Sequence, residues 1–204
     1  MSRIVVFGPS VAEPCREEYA WPKQLATRFN RELINYALGG TSIEWSLYKL
    51  REYLQIEWRP KDKIVFIASH PSWCPIVHKE YIPTWANYGG HETHGEFEKT
   101  MIRYTDYATD RWKYFLVANA LNSIKNDALM MCAFESCTEK SIRNNLIISK
   151  INLSVYTDRD RVGTNHFREH NHNAMAEFTY QSLENMQDCY DKNLFIMEEN
   201  PCSV

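Results

Sequence analysis

A parallel β-sheet covered by helices on both faces is the α/β fold that this sequence predicts, and three observations carry the expectation. Lys63-Ile64-Val65-Phe66-Ile67-Ala68 is almost continuously apolar, as a parallel strand shielded on both faces must be. Strand-like segments alternate with segments of helical period, the pattern of right-handed β-α-β crossovers. The first strand, Arg3-Ile4-Val5-Val6-Phe7, runs into Gly8-Pro9-Ser10 and so puts a hydroxyl at the carboxyl edge of the sheet, where open α/β folds bind ligands.

The elements follow in order. After the strand at residues 3–7, Trp21, Leu25 and Phe29 recur every four positions and predict a helix from Trp21 to Asn30. Leu33-Ile34-Asn35-Tyr36-Ala37 reads as a second strand, closed by Gly39-Gly40-Thr41-Ser42 before a helix that runs to about Leu54. Pro60 and Lys61-Asp62 break the chain ahead of the apolar third strand. From His70 to about Gly95 the breakers Pro71, Pro75, Pro83 and Gly89-Gly90 predict an irregular insertion, about residues 70–100. A helix from Thr105 to Lys125, a strand around Cys132 and a further strand at Ile151–Tyr156 come next. The last helix starts near Asn171 and carries Met175, Phe178, Leu183 and Met186. In the tail, residues 191–204, Leu194-Phe195-Ile196-Met197 can dock on the body or on a partner.

Composition bounds the function. With 204 residues, 44% hydrophobic and 24% charged, the whole chain, 1–204, is expected to form a single domain with one main site. A net charge of −3 with scattered Lys and Arg gives no footprint for nucleic acid, so binding through phosphates is not expected. No charged-then-apolar leader opens the sequence, and no apolar run approaches the ~18–20 residues of a membrane span. The expectation is a protein without signal peptide or membrane partner, located in the cytoplasm. Cys15, Cys74, Cys132, Cys137, Cys189 and Cys202 lack C-x-x-C spacing, which points to reduced thiols rather than disulfides or a zinc knuckle.

Three constellations sit just beyond strand ends. Ser10 is a candidate nucleophile or, alternatively, a helix cap. Gly39-Gly40 lets the backbone approach a ligand and offers an N–H to a developing oxyanion. The segment from Thr164 to Glu177 feeds the final helix and brings His166, His170 and His172; a neutral imidazole there can take the serine proton and return it to a leaving group.

Together, the strand with its Gly-x-Ser turn, Asn35 with Gly39-Gly40, and the His-x-x-x-x-x-His-x-x-x-Ala segment from His166 resemble the SGNH, or GDSL-type, hydrolases. Trp21-Pro22-x-x-Leu25-Ala26 is similar to small SGNH-like proteins of tailed bacteriophages. The resemblance implies a flavodoxin-like three-layer α/β/α sandwich with a central parallel sheet of about five strands. It also implies cofactor-free hydrolysis of esters, often acetyl groups on carbohydrates. Ser10 would be the nucleophile, His166 the base, and the N–H groups of Ser10 and Gly40 the oxyanion hole, while His172 packs. The expected partner is a small acyl ester or acetylated glycan, with a virion or a homo-oligomer as the assembly.

Two positions depart from the family. Ser69-His70-Pro71-Ser72 follows the third strand without the usual oxyanion Asn, a donor whose loss costs roughly 3–4 kcal/mol in serine hydrolases; Ser69 or His70 can substitute. The orienting acid is displaced, because Gly163 and Thr164 stand where it is expected; Asp160, Asp158 or a backbone carbonyl can serve. These gaps leave a second reading, an SGNH-fold binding or virion protein whose site has decayed. A metal at His91-x-x-His94 or among His166, His170, His172 and Glu169 is not expected, since no H-E-x-x-H occurs. Trp73, Tyr81, Trp85 and Tyr88 in the insertion either stack sugar rings or form a cluster beneath a loop.

Overall fold

Strand order decides where a site can form in an α/β protein, and here it follows from which segments are apolar on both faces. In the computed structural model, residues 2–13, 19–71, 74–77, 83–86, 111–159 and 165–198 are described. The strands are β1 (Arg3–Phe7), β2 (Glu32–Asn35), β3 (Lys63–Ala68), β4 (Cys74–Val77), β5 (Pro83–Ala86), β6 (Ala128–Cys132), β7 (Leu146–Asn152), β8 (Thr157–Arg159) and β9 (Asn165–Phe167). The helices are α1 (Trp21–Arg28), α2 (Ile43–Ile56), α3 (Trp112–Asn122) and α4 (Glu169–Asn185). A five-stranded sheet has the order β2-β1-β3-β6-β7, with every pair parallel.

Side chains of the central strands alternate between two cores. Ile4, Val6, Val65, Ile67, Leu129 and Met131 pack on one face with Trp21 and Leu25 of α1 and Met175 and Phe178 of α4. Val5, Phe7, Ile64, Phe66 and Met130 pack on the other with Leu50 and Tyr53 of α2 and Tyr114 and Leu121 of α3. Each such side chain taken out of water contributes about 1.5–3 kcal/mol, so β1, β3 and β6 make the frame. The result is the expected three-layer α/β/α sandwich.

Several elements differ from expectation. The strand expected at 151–156 begins earlier, as β7, and Leu153–Tyr156 is a 3-10 turn whose start is capped by Asn152 Oδ1 accepting from Ser154 N at 3.1 Å. Residues 74–77 and 83–86, inside the segment expected to be irregular, pair as an antiparallel hairpin. Cys132 and Cys137 are joined in a disulfide, correcting the expectation of reduced thiols; five residues of separation give no C-x-x-C signal, yet the bend after β6 brings the two together. The tail docks on the body: Phe195 is buried on Tyr156, and Asn171 holds Ile196 by accepting from its N–H at 2.9 Å and donating to its carbonyl at 2.8 Å. None of the described helices is long and apolar enough to cross a membrane.

Two contacts fix β1 against β3. At the amino ends, Asp62 accepts from Arg3 N at 2.8 Å, Arg3 Nε at 3.0 Å and Tyr53 Oη at 2.8 Å, and its side chain is fully buried. Burial alone pushes the Asp62 carboxyl up, but the hydrogen bonds from Arg3 and Tyr53 and the guanidinium charge outweigh it and hold it below the usual range. At the carboxyl ends, Gly8 has φ +155°, and a Cβ there would stand 2.9 Å from Ile67 Cβ. Only glycine permits so close an approach.

A depressed carboxyl contributes stability above its unfolded pKa, and that contribution is lost as pH falls through the folded value. Asp62→Asn is therefore expected to cost about 3 kcal/mol at neutral pH, because Arg3 is left buried and poorly paired. The variant should also lose stability less steeply than the parent below about pH 4, as read from urea unfolding at several pH values. Gly8→Ala is expected to lower stability by about 2–4 kcal/mol, through backbone strain and overpacking against Ile67. A melting temperature within one degree or so of the parent would contradict that account.

Candidate active site

The chain leaves β1 toward β2 on one side and returns to β3 on the other, so the strand order reverses beside β1. Helical layers diverge at such a reversal and open a crevice at the carboxyl ends of the strands. Ser10 follows β1, Gly39-Gly40 follows β2, and Ser69-His70 follows β3. All these predicted site residues stand at one sheet edge.

Ser10 opens a 3-10 turn, Ser10–Ala12, closed by Ala12 N donating to Pro9 O at 3.0 Å and Glu13 N to Ser10 O at 3.1 Å. It does not cap α1, whose N-cap is Ala20, so the alternative reading of Ser10 as a helix cap fails. Asn35 straps this turn to the next one. Its Nδ2 donates to Ala12 O at 2.8 Å and its Oδ1 accepts from Ala37 N at 2.9 Å, while Leu38 N donates to Gly8 O at 3.0 Å. The Gly39 backbone lies against Ser10 closely enough that a Cβ on Gly39 would stand 3.5 Å from Ser10 Cβ. Gly40 has φ +71°, the left-handed conformation that glycine adopts without strain. Ser42 then caps α2, its Oγ accepting from Trp45 N at 3.4 Å.

The segment after β3 is held from below. Lys113 Nζ donates to Pro71 O at 2.7 Å and pairs with Glu44 at 2.9 Å. Ser69 is fully buried, and its Oγ has no hydrogen-bond partner among the described residues. An unpaired buried hydroxyl costs about 1–3 kcal/mol, so its presence marks a place where stability has been yielded. His70 is buried, edge-on to Phe134 with ring centroids 5.8 Å apart. Burial drives its pKa down to about 4; the Lys113 charge reinforces this and Glu135 opposes it. At neutral pH the ring is uncharged and keeps one N–H to donate.

His166 lies in β9, which pairs antiparallel with β8 so that Asp158 stands opposite His166 in the register. β9 also packs alongside the turn that carries Ser10. Asp160 lies outside the described residues, as do Trp73, Tyr81, Tyr88, His91 and His94, while Trp85 occupies β5 opposite Pro75. His172 is buried and its Nδ1 accepts from Trp21 N at 3.1 Å, whereas His170 is exposed with Nε2 at 3.1 Å from Leu194 O. Among the described residues no three His, Cys, Asp or Glu side chains are grouped to hold a metal. Sequence reasoning overlooked the β8–β9 pairing; its signal was weak, two runs of only three residues each, Thr157-Asp158-Arg159 and Asn165-His166-Phe167.

No family model matches the sequence, and no curated protein matches it. Solved structures do. The chain is similar to a psychrotrophic esterase, EstA, from Pseudoalteromonas sp., with 13% identity, a TM-score of 0.50, and coverage of 91% of this chain and 98% of that one. It is also similar to a protein assigned to the G-D-S-L lipolytic family of Desulfitobacterium hafniense DCB-2, with 10% identity, a TM-score of 0.49, and coverage of 89% and 99%. At 13% identity the likeness to that esterase shows the fold alone, and it agrees with the strand order: this chain has the three-layer α/β/α fold that the esterase shares.

Proposed function

We propose that the protein is an SGNH-type serine esterase acting on small acyl esters of the acetyl kind, carried on a carbohydrate. The observation that supports it is the packing of the His166 strand alongside the Ser10 turn at the point where strand order reverses. Ser10 Oγ attacks the ester carbonyl while His166 takes its proton; the tetrahedral intermediate collapses, and the departing alkoxide receives that proton. Water repeats the sequence and frees the acid and the serine. The N–H groups of Ser10 and Gly40 receive the oxyanion, with the Ser69 hydroxyl or the neutral His70 ring in the role of the missing Asn. Of Asp158 and Asp160, Asp158 is the better orienting acid, because it stands opposite His166 in the β8–β9 pair. No cofactor enters the scheme.

A second reading, a binding or virion protein that keeps this fold without turnover, is favoured by the absence of an Asn after β3. One assay separates the two. With p-nitrophenyl acetate, Ser10→Ala and His166→Ala should each lower kcat/KM by about 10³-fold or more. Turnover unchanged in both variants overturns the esterase, and no turnover by the parent on a panel of acetylated sugars leaves the binding protein.

The third donor has its own signature. Ser69→Ala should lower kcat by about 10²-fold, as loss of an oxyanion donor does, with KM little changed. Its unfolding midpoint should stay level or rise, since the hydroxyl removed was unpaired. His70→Gln should leave the acid limb of the pH profile in place, because a ring with a pKa of about 4 is already neutral where that limb falls. Loss of the limb in this variant would assign the titration to His70 instead.

A further inference from the structure

Helix α1 begins without a cap of its own: its N-cap is Ala20, which has no side-chain acceptor, so the first N–H groups of the helix need partners from elsewhere. One comes from α4. His172 Nδ1 accepts the backbone N–H of Trp21 at 3.1 Å, a bond spanning 151 residues of sequence. That contact fixes the ring, since Nδ1 must present its lone pair. The edge of the same ring system meets Phe167 at 5.6 Å between centroids and 82° between planes, and Phe167 is the residue after His166. Trp21 has a second donor, and it points the other way. Its indole N–H donates to Val11 O at 2.8 Å, and Val11 is the residue after Ser10.

One fully buried side chain therefore touches the turn of the candidate nucleophile while its backbone touches the helix that follows the candidate base. We infer that Trp21 and His172 are positioning residues that set the Ser10 turn and the His166 strand in a common geometry through Val11 and Phe167. The inference rests on the esterase reading for its catalytic consequence and on the hydrogen bonds for its structural one. Neither residue needs to meet substrate. Their effect is on alignment, and misplacing a reacting group by about 1 Å can cost on the order of 10²-fold in rate.

The alternative is that both residues only fill the core, and the variants are chosen to tell these apart. Trp21→Phe keeps an aromatic ring and removes the indole donor; His172→Leu removes the acceptor; His172→Asn restores an acceptor near the position of Nδ1. With p-nitrophenyl acetate, Trp21→Phe and His172→Leu should lower kcat by about tenfold or more, with KM within about twofold. His172→Asn should recover most of the loss. The double variant should fall by less than the product of the singles, as residues acting through one linkage do.

A second readout needs no activity. Amide exchange at Ala12 and Glu13, which close the Ser10 turn, should quicken by about fivefold or more in His172→Leu, although His172 touches neither residue's N–H in the described bonds. Unchanged exchange there, or unchanged kcat in folded Trp21→Phe and His172→Leu proteins whose Ser10→Ala counterpart is inactive, overturns the positioning role. Should Ser10→Ala retain full turnover, the esterase reading falls, and the exchange measurement still decides the linkage.

Discussion

Everything at the carboxyl edge of this molecule depends on the reversal of strand order beside β1. Because β2 and β3 flank β1 on opposite sides, the connections that leave β1 and β3 run to opposite sides of the sheet, the arrangement at which open α/β sheets form a crevice. Ser10, Gly39-Gly40 and Ser69-His70 follow the carboxyl ends of neighbouring strands for that reason, though they are spread over 61 positions of sequence from Ser10 to His70. The tight apposition of Gly8 to Ile67 holds the carboxyl ends of β1 and β3 together, so the turn after β1 starts from a fixed point.

The two ends of the sheet show contrasting chemistry. At the amino edge, Asp62 is saturated by donors from Arg3 and Tyr53, and Asn126 donates to the carbonyls of Arg59 and Asp62, each at 2.8 Å. These groups are buried and paired, which serves rigidity. At the carboxyl edge, Ser69 Oγ is buried and unpaired among the described residues, and His70 is kept neutral by burial. A donor without a partner is a cost to folding and a preorganised asset to a reaction that develops negative charge.

Much of the frame could be read from residue patterns. The apolar run of β3, the hydrophobic β1 with its Gly-x-Ser turn and the helical period of α4 each state a local preference that tertiary packing did not oppose. The turns after β1 and β2 were readable because glycine is required there by φ or by close approach. What stayed hidden was long-range. The three-residue strands β8 and β9 are stabilised by each other and by the Ser10 turn, so neither has a pattern long enough to stand out. The Cys132–Cys137 disulfide depends on a bend that spacing does not announce. Asn35 was noticed as part of a motif, but its work, tying Ala12 to Ala37, is visible only in three dimensions.

The bond between Trp21 and His172 also bears on how the protein is made. Synthesis runs from the N-terminus, and domains begin to organise as their segments emerge. The strands β1, β2 and β3, with α1 and α2, lie within the first 68 residues and can pair early, but the cap on α1 and the strand beside Ser10 arrive only with residues 165–172. Contacts of such long sequence separation form late because the entropy of closing the loop must be met first. A nascent chain would therefore display the serine turn well before it could acquire the strand that packs beside it, and whatever chemistry the finished site performs is withheld until residues 165–172 have emerged.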